Sequence, residues 1–275
     1  MTDFAELVQR YALHLGKDML QYFLFAGIPY LIFYVIFKTQ FFRFKIQQKY
    51  PEQKHIQREI LYSLQSMAIF TTVGTAIFLL KKNGYTRIYT DIHAHSWLYF
   101  FASIVIFILA HDTYFYWSHR MMHHRRIYPY VHLIHHKSVN PTPWAAFAFH
   151  PIEALLQVAI LPIMVFLLPL HPIAIVTWGL YQLALNIGGH VGFELFRKGF
   201  TQRLFTKWHN TSTHHNMHHR YVTCNYGLYF NVWDRLMGTN HMRYDEEFEA
   251  VCERRGAILP GFKNGLKEEN QAKPA

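Results

Sequence analysis

Apolar residues along this chain are gathered into long blocks, and polar residues are largely confined to the segments between them. Five blocks stand out, at roughly 19–37, 60–80, 97–117, 152–170 and 173–190. Each is close to the ~20 residues a helix needs to cross ~30 Å of hydrocarbon. The pattern predicts an all-α fold, a polytopic membrane helical bundle of about four to five membrane segments. Only Leu170-His171-Pro172 separates the last two blocks, which read as a tight hairpin that crosses the bilayer or dips into it. Glu153 and Gln157 near the start of the fourth block push its apolar span later. The expected organisation is N-terminal membrane helices over 1–110, a catalytic region over 111–240 that includes the hairpin 152–190, and a polar C-terminal tail over 241–275. The last part of that tail, about 261–275, is expected to be disordered.

Composition sharpens this picture. Of 275 residues, 51% are hydrophobic and only 16% charged, against about 25% charged in a soluble domain. Cys224 and Cys252 form no CxxC, which argues against a disulfide framework and a thiolate zinc site. The net charge of +10 suits basic loops beside anionic lipid better than a nucleic-acid partner. The first residues lack a basic n-region and a small-residue cleavage site, so no cleavable signal peptide is expected. Lys38, Arg43, Lys45, Lys49, Lys54 and Arg58 crowd the 38–59 loop, whereas the 81–96 loop holds only Lys81, Lys82 and Arg87. The positive-inside rule places 38–59 in the cytoplasm. Alternation then places 118–151 and 191–275 there too, so every histidine cluster emerges on one side.

Those clusters carry the candidate chemistry. The chain has 20 histidines. His119 and His123 form an HxxxH; His132, His135 and His136 form an HxxHH; His215, His218 and His219 form another. Helical residues three and four apart share a face, so HxxxH aims two imidazoles at one point. In HxxHH the last two diverge by about 100°, enough to reach two adjacent metals. His111, Phe115, His119 and His123 lie on one stripe running out of the third block, which puts the site at the membrane–cytosol boundary. Eight clustered histidines exceed the four ligands of a structural zinc site and suit two metals. Imidazole alone does not choose among Zn, Cu, Fe and Ni. The paired Glu-x-x-His pattern of ferritin-like bundles is absent. Iron is favoured because an apolar lipid has no group for a Lewis acid to polarise, so oxidising it needs redox chemistry. The alternative is a zinc-dependent membrane hydrolase acting on a lipid, which the absence of HExxH disfavours. A transporter would place its ligands within the membrane rather than beyond the blocks.

The run from His111 to His124, HDTYFYWSHRMMHH, resembles the first box of the sterol desaturase / fatty acid hydroxylase superfamily. His132–His136 resembles its second box and His215–His219 its third. PTPWAAFAFHPIE (141–153) is similar to the segment after the second box in lathosterol oxidases and sphingoid-base hydroxylases. Asn225-Tyr226-Gly227 and Trp233-Asp234-Arg235-Leu236-Met237-Gly238-Thr239 resemble a family ending. The resemblance implies a membrane bundle with a cytosolic helical cap. It also implies two non-haem iron ions, with O2 as co-substrate, that hydroxylate or desaturate a sterol, sphingoid or fatty acyl lipid. Carried over, the ligands are His119, His123, His132, His135, His136, His215, His218 and His219, with His190 supplied by the helix before the third box. Some relatives carry a further histidine four residues from that one; here those positions are Asn186 and Glu194.

His111, Asp112, His150 and Glu194 are expected next to the ligands, with Asp112 orienting an imidazole through its other nitrogen. His150 either shapes the site beside Glu153 or starts a helix, and Asn225 and Asp234 lock the cap. His14, His55, His93, His95, His171 and His241 read as ordinary loop or interface residues. No His-Pro-Gly-Gly haem signature is present, so a separate electron donor is expected, cytochrome b5-like, a ferredoxin or a reductase. Arg120, Arg125, Arg126 and Lys137 offer either a basic docking face for it or contacts to lipid headgroups. The expected location is the bacterial inner membrane or, in a eukaryote, the endoplasmic reticulum.

Overall fold

Three helices are long and apolar enough to cross a membrane, Phe4–Ile36, Gln53–Lys82 and Trp97–Met122, in a computed structural model that describes residues 4–256. The disorder expected over 261–275 lies outside the described residues. The first of these is α1 (Phe4–Tyr30) continued by a π-helical turn, Leu31–Ile36. It begins well before residue 19 and leads through the short α2 (Lys38–Phe41) into α3 (Gln53–Lys82) and α4 (Trp97–Met122). Among the described residues there are only isolated β-bridges and no strands. Leu61, Leu98 and Phe101 are among many large apolar side chains left exposed on these helices, the surface expected of a chain solvated by hydrocarbon.

The fourth apolar block departs from a single span. It forms α7 (Pro151–Val158) and α8 (Ile160–Leu167), broken at Ala159. Pro162 explains the break, because it has no N–H to give the Val158 carbonyl and its ring crowds that turn. With α9 (Pro172–His190) it makes the expected hairpin. His171 caps α9 by accepting from the Ile173 N–H, with Pro172 at the first helical position. The hairpin's tip is tied to the loop before α4 and to the first turn of α4. Arg87 N–H donates to Val165 O at 2.9 Å and Tyr99 Oη to Pro169 O at 2.9 Å.

At the opposite end the chain folds into a cap made of α5 (Tyr128–Val131), α6 (Leu133–His136), α10 (Ser212–Tyr221), α11 (Val232–Leu236) and α12 (Tyr244–Gly256). The polar tail expected from 241 onward thus contains a helix, α12, whose Tyr244, Phe248 and Cys252 pack on Met217 of α10. Aromatic and polar side chains bolt the cap to the spans. Tyr22 Oη and Ser63 Oγ both donate to Trp144 O, at 2.7 and 2.8 Å. The π-helical turn delivers Tyr34, whose hydroxyl reaches Val191 O at 3.0 Å. Gly192 has φ +76°, and a Cβ there would lie 2.6 Å from that hydroxyl, so the chain needs glycine on both counts.

Candidate metal centre

The nine histidines singled out in the sequence come from α4 and the residue after it, from α6 and the residue before it, from the last turn of α9, and from α10. They form two groups. One holds His119, His123, His132, His136 and His218; the other holds His135, His190, His215 and His219. Within each group one ring nitrogen per residue lies within 4.8 Å of all the others. The HxxHH spacing divides as its geometry requires: His135 and His136 enter different groups, and so do His218 and His219.

The outward ring nitrogens show how the inward ones are charged. His119 Nδ1–H donates to Tyr226 O at 2.8 Å, His190 Nδ1–H to Asn186 O at 2.8 Å and His218 Nδ1–H to Cys224 O at 2.6 Å. His132 Nδ1 lies 2.7 Å from Glu153 Oε1, with both side chains buried. These partners accept only, so they fix the proton on Nδ1 and leave a lone pair on Nε2. Yet the Nε2 atoms of His119 and His132 are 2.9 Å apart, and His190 Nε2 is 3.0 Å from His215 Nε2 and 3.2 Å from His219 Nε2. Between His119 and His132 two lone pairs face each other, which repels unless a cation lies between them, and in the second group the His190 lone pair is aimed at the same point as the His215 and His219 rings. Metal–imidazole bonds of ~2.0–2.1 Å give nitrogen separations of about 2.9–3.4 Å at octahedral to tetrahedral angles. The donor set therefore fits two metal ions.

Burial, followed by neighbouring imidazoles, holds His132, His136, His215, His218, His219 and His135 well below the usual histidine value, and His123 down to about 2. Below about pH 6.5 the unfolded chain takes protons that the folded cap excludes, so stability falls as pH drops. The unfolding temperature of metal-free protein is expected to decline steeply between about pH 7.5 and about pH 5. A flat profile would show that the cap histidines are solvated.

The four residues expected next to the ligands serve other purposes. Asp112 Oδ1 accepts from the Tyr229 and Phe230 N–H groups at 2.9 and 3.2 Å, which fixes the 227–230 loop, not an imidazole. His111 Nδ1 meets Tyr229 Oη at 2.7 Å and Trp178 Nε1 at 3.2 Å, outside both groups. His150 caps α7 by accepting from the Ile152 N–H, the helix-start role. Glu194 Oε2 accepts from the Thr213 N–H and hydroxyl, holding the first turn of the helix that carries the third cluster. Asp234 accepts from the Tyr226 and Gly227 N–H groups, as befits a cap lock, and Asn225 Oδ1 accepts from the His241 N–H. His124 is exposed. The carboxylate that does orient an imidazole is Glu153. Its sequence signal was an acid stranded in an otherwise apolar block.

A cavity of ≈ 350 Å³ runs between α1, α3, α4, α7 and α9. Two of its wall residues touch the centre: Phe115 packs 5.0 Å from the His119 ring and Phe149 5.1 Å from the His135 ring. The cavity thus reaches both histidine groups from the membrane side.

A helical membrane bundle closed at one end by two rings of imidazoles defines the class of histidine-box membrane proteins. Residues 104–239 match the Fatty acid hydroxylase family model. Lathosterol oxidase of Rattus norvegicus is 35% identical over 207 residues, covering 73% of this chain and 66% of the relative. Lathosterol oxidase of Homo sapiens is 33% identical over 70% of this chain and 64% of the relative. A Delta(7)-sterol 5(6)-desaturase of Gibberella zeae is 32% identical over 68% of this chain and 57% of the relative. The chain thus spans between 57% and 66% of the length of these relatives. No solved structure gives a significant match. The chain belongs to the sterol desaturase / fatty acid hydroxylase superfamily.

Proposed function

We propose that this chain is a membrane-bound, non-haem di-iron oxidoreductase that uses O2 to hydroxylate or desaturate a lipid, drawing electrons from a separate donor. The observation that carries this reading is the junction of two inward-facing imidazole groups with a largely apolar cavity walled by the long helices. In this reading His119, His123, His132, His136 and His218 hold one iron and His135, His190, His215 and His219 the other. When bound, the pair supplies the oxidising power for an unactivated C–H bond. The relatives named above are sterol oxidases and desaturases, which favours a sterol-like lipid.

The protein's own contribution is placement and exclusion. Phe115 and Phe149 form an apolar wall against the imidazoles, keeping water from the reacting carbon and fixing its approach. The carbonyl partners of His119, His190 and His218 and the Glu153 carboxylate hold four ligand rings in orientation, so little reorganisation is needed as charge changes. Basic residues beside the first two clusters, Arg120, Arg125, Arg126 and Lys137, offer an acidic donor a docking face.

Stripping metal with a chelator should abolish lipid-dependent O2 uptake, and ferrous iron should restore it together with about two irons per chain. Restoration by zinc, with lipid cleavage and no O2 uptake, would establish a hydrolase instead.

A further inference from the structure

We infer that the cavity has two unlike ends, and that the end remote from the histidines binds the uncharged hydroxyl of an amphiphilic lipid through Gln21, Gln157 and Gln182. The lipid's apolar body is thereby presented to the imidazoles. This deepens the lipid-oxidation reading and rests on it only for what happens at the imidazole end.

The argument begins with spacing on α1. His14, Lys17, Asp18 and Gln21 stand at i, i+3, i+4 and i+7, one stripe of a helix, and all four line the cavity. Asp18 Oδ2 accepts from Thr71 Oγ1 of α3 at 2.7 Å, which ties the stripe to the neighbouring helix. Polar side chains lining a cavity between apolar helices are costly unless they find partners. From the facing walls come Gln157 of α7 and Gln182 of α9.

Among the described residues, the side chains of Gln21, Gln157 and Gln182 make no hydrogen bond to the rest of the chain, although each residue is partly buried. Other carboxamides near the cavity and the cap do find partners: Asn186 donates to Ala146 O at 2.7 Å and Gln47 to Asn216 Oδ1 at 2.9 Å. The three free carboxamides face the cavity and leave their bonding capacity to its occupant. Gln182 stands about 12 Å along α9 from His190, and Gln157 about 6 Å along α7 from Glu153. The nearer walls, Phe115, Phe147 and Phe149, are apolar.

The chemistry of the far end selects the polar group. A carboxamide both donates and accepts, as a hydroxyl does. The stripe also carries one basic and one acidic residue side by side, Lys17 and Asp18. These two opposite charges offset each other, so neither an anionic nor a cationic headgroup gains a net attraction there.

The test uses the metal-loaded full chain in nanodiscs and reads binding, not turnover. The probes are a Delta(7)-sterol alcohol with its hydroxyl-deleted and sulfated forms, and hexadecanol with hexadecane. In at least one pair, wild type should bind the alcohol about tenfold tighter than its hydroxyl-free partner. Gln157→Leu and Gln182→Leu should each narrow that ratio about 3- to 10-fold, leaving hydroxyl-free affinity and metal content unchanged. Equal binding of alcohol and hydroxyl-free partner in both pairs, unchanged ratios in both variants, or tighter binding of the sulfate would each overturn the inference. Because no turnover is read, absence of O2 chemistry would sink the oxidation reading while leaving this binding result to stand or fall alone.

Discussion

His135→Ala and His218→Ala proteins should insert into the membrane normally but retain less than about 1% of lipid-dependent turnover and lose bound metal. The expectation follows from where each ring stands. His135 is one of only four nitrogens in its group, with Nε2 3.4 Å from His190 Nε2, and its loss leaves three. His218 sends Nδ1–H to Cys224 O and presents an Nε2 that is buried and has no hydrogen-bond partner, so nothing but a cation would satisfy it. Losing even an outer partner of a ligand typically costs 10- to 100-fold in affinity, and losing the ligand costs more. The spans α1, α3 and α4 are untouched, and alanine is a better helix former than histidine, so insertion and α10 should persist. Metal analysis should fall from about two ions per chain to about one or fewer. Full activity in either variant would remove that residue from the ligand set.

Glu153→Ala should lower metal affinity or turnover by about 10- to 100-fold, and Glu153→Gln by less. Among the described residues, Glu153 is the carboxylate bonded to a candidate ligand, 2.7 Å from His132 Nδ1, at a site where neither side chain meets solvent. Alanine would leave that N–H without an acceptor and free the ring to turn or to switch tautomer, spoiling the lone pair aimed at the ion. Glutamine can still accept through its carbonyl oxygen but brings no charge to strengthen the ligand. The measurement is chelator competition alongside kcat at saturating lipid. Wild-type values for the alanine variant would reduce Glu153 to a buried acid with no influence on the centre.

The histidine spacings were legible because they are local: HxxHH on one turn must split its last two rings, and His135/His136 and His218/His219 do so. Block lengths likewise foretold α3 and α4 closely. Reading failed where the deciding contact was not local. Asp112 looked like an imidazole partner on α4, but the loop at 229–230 claims it from more than a hundred residues away. Glu194 flanks His190 in sequence, yet it turns to the start of α10. The fourth block looked like one span because hydropathy ignores Pro162, whose missing N–H breaks it into α7 and α8. The polar stripe on α1 lay outside the apolar block as drawn and was passed over.

The imidazole rings come from four stretches of chain spread over residues 119–219, and they face one another across gaps that apolar packing does not fill. Ions seated there act as rivets: they join the tip of α4, the second cluster, the end of α9 and α10 into one piece. A cell short of the metal would then hold a chain whose membrane half is finished while its aqueous half is unfastened and open to proteases. On the two-metal reading, the abundance of this protein, and not merely its specific activity, should follow metal supply.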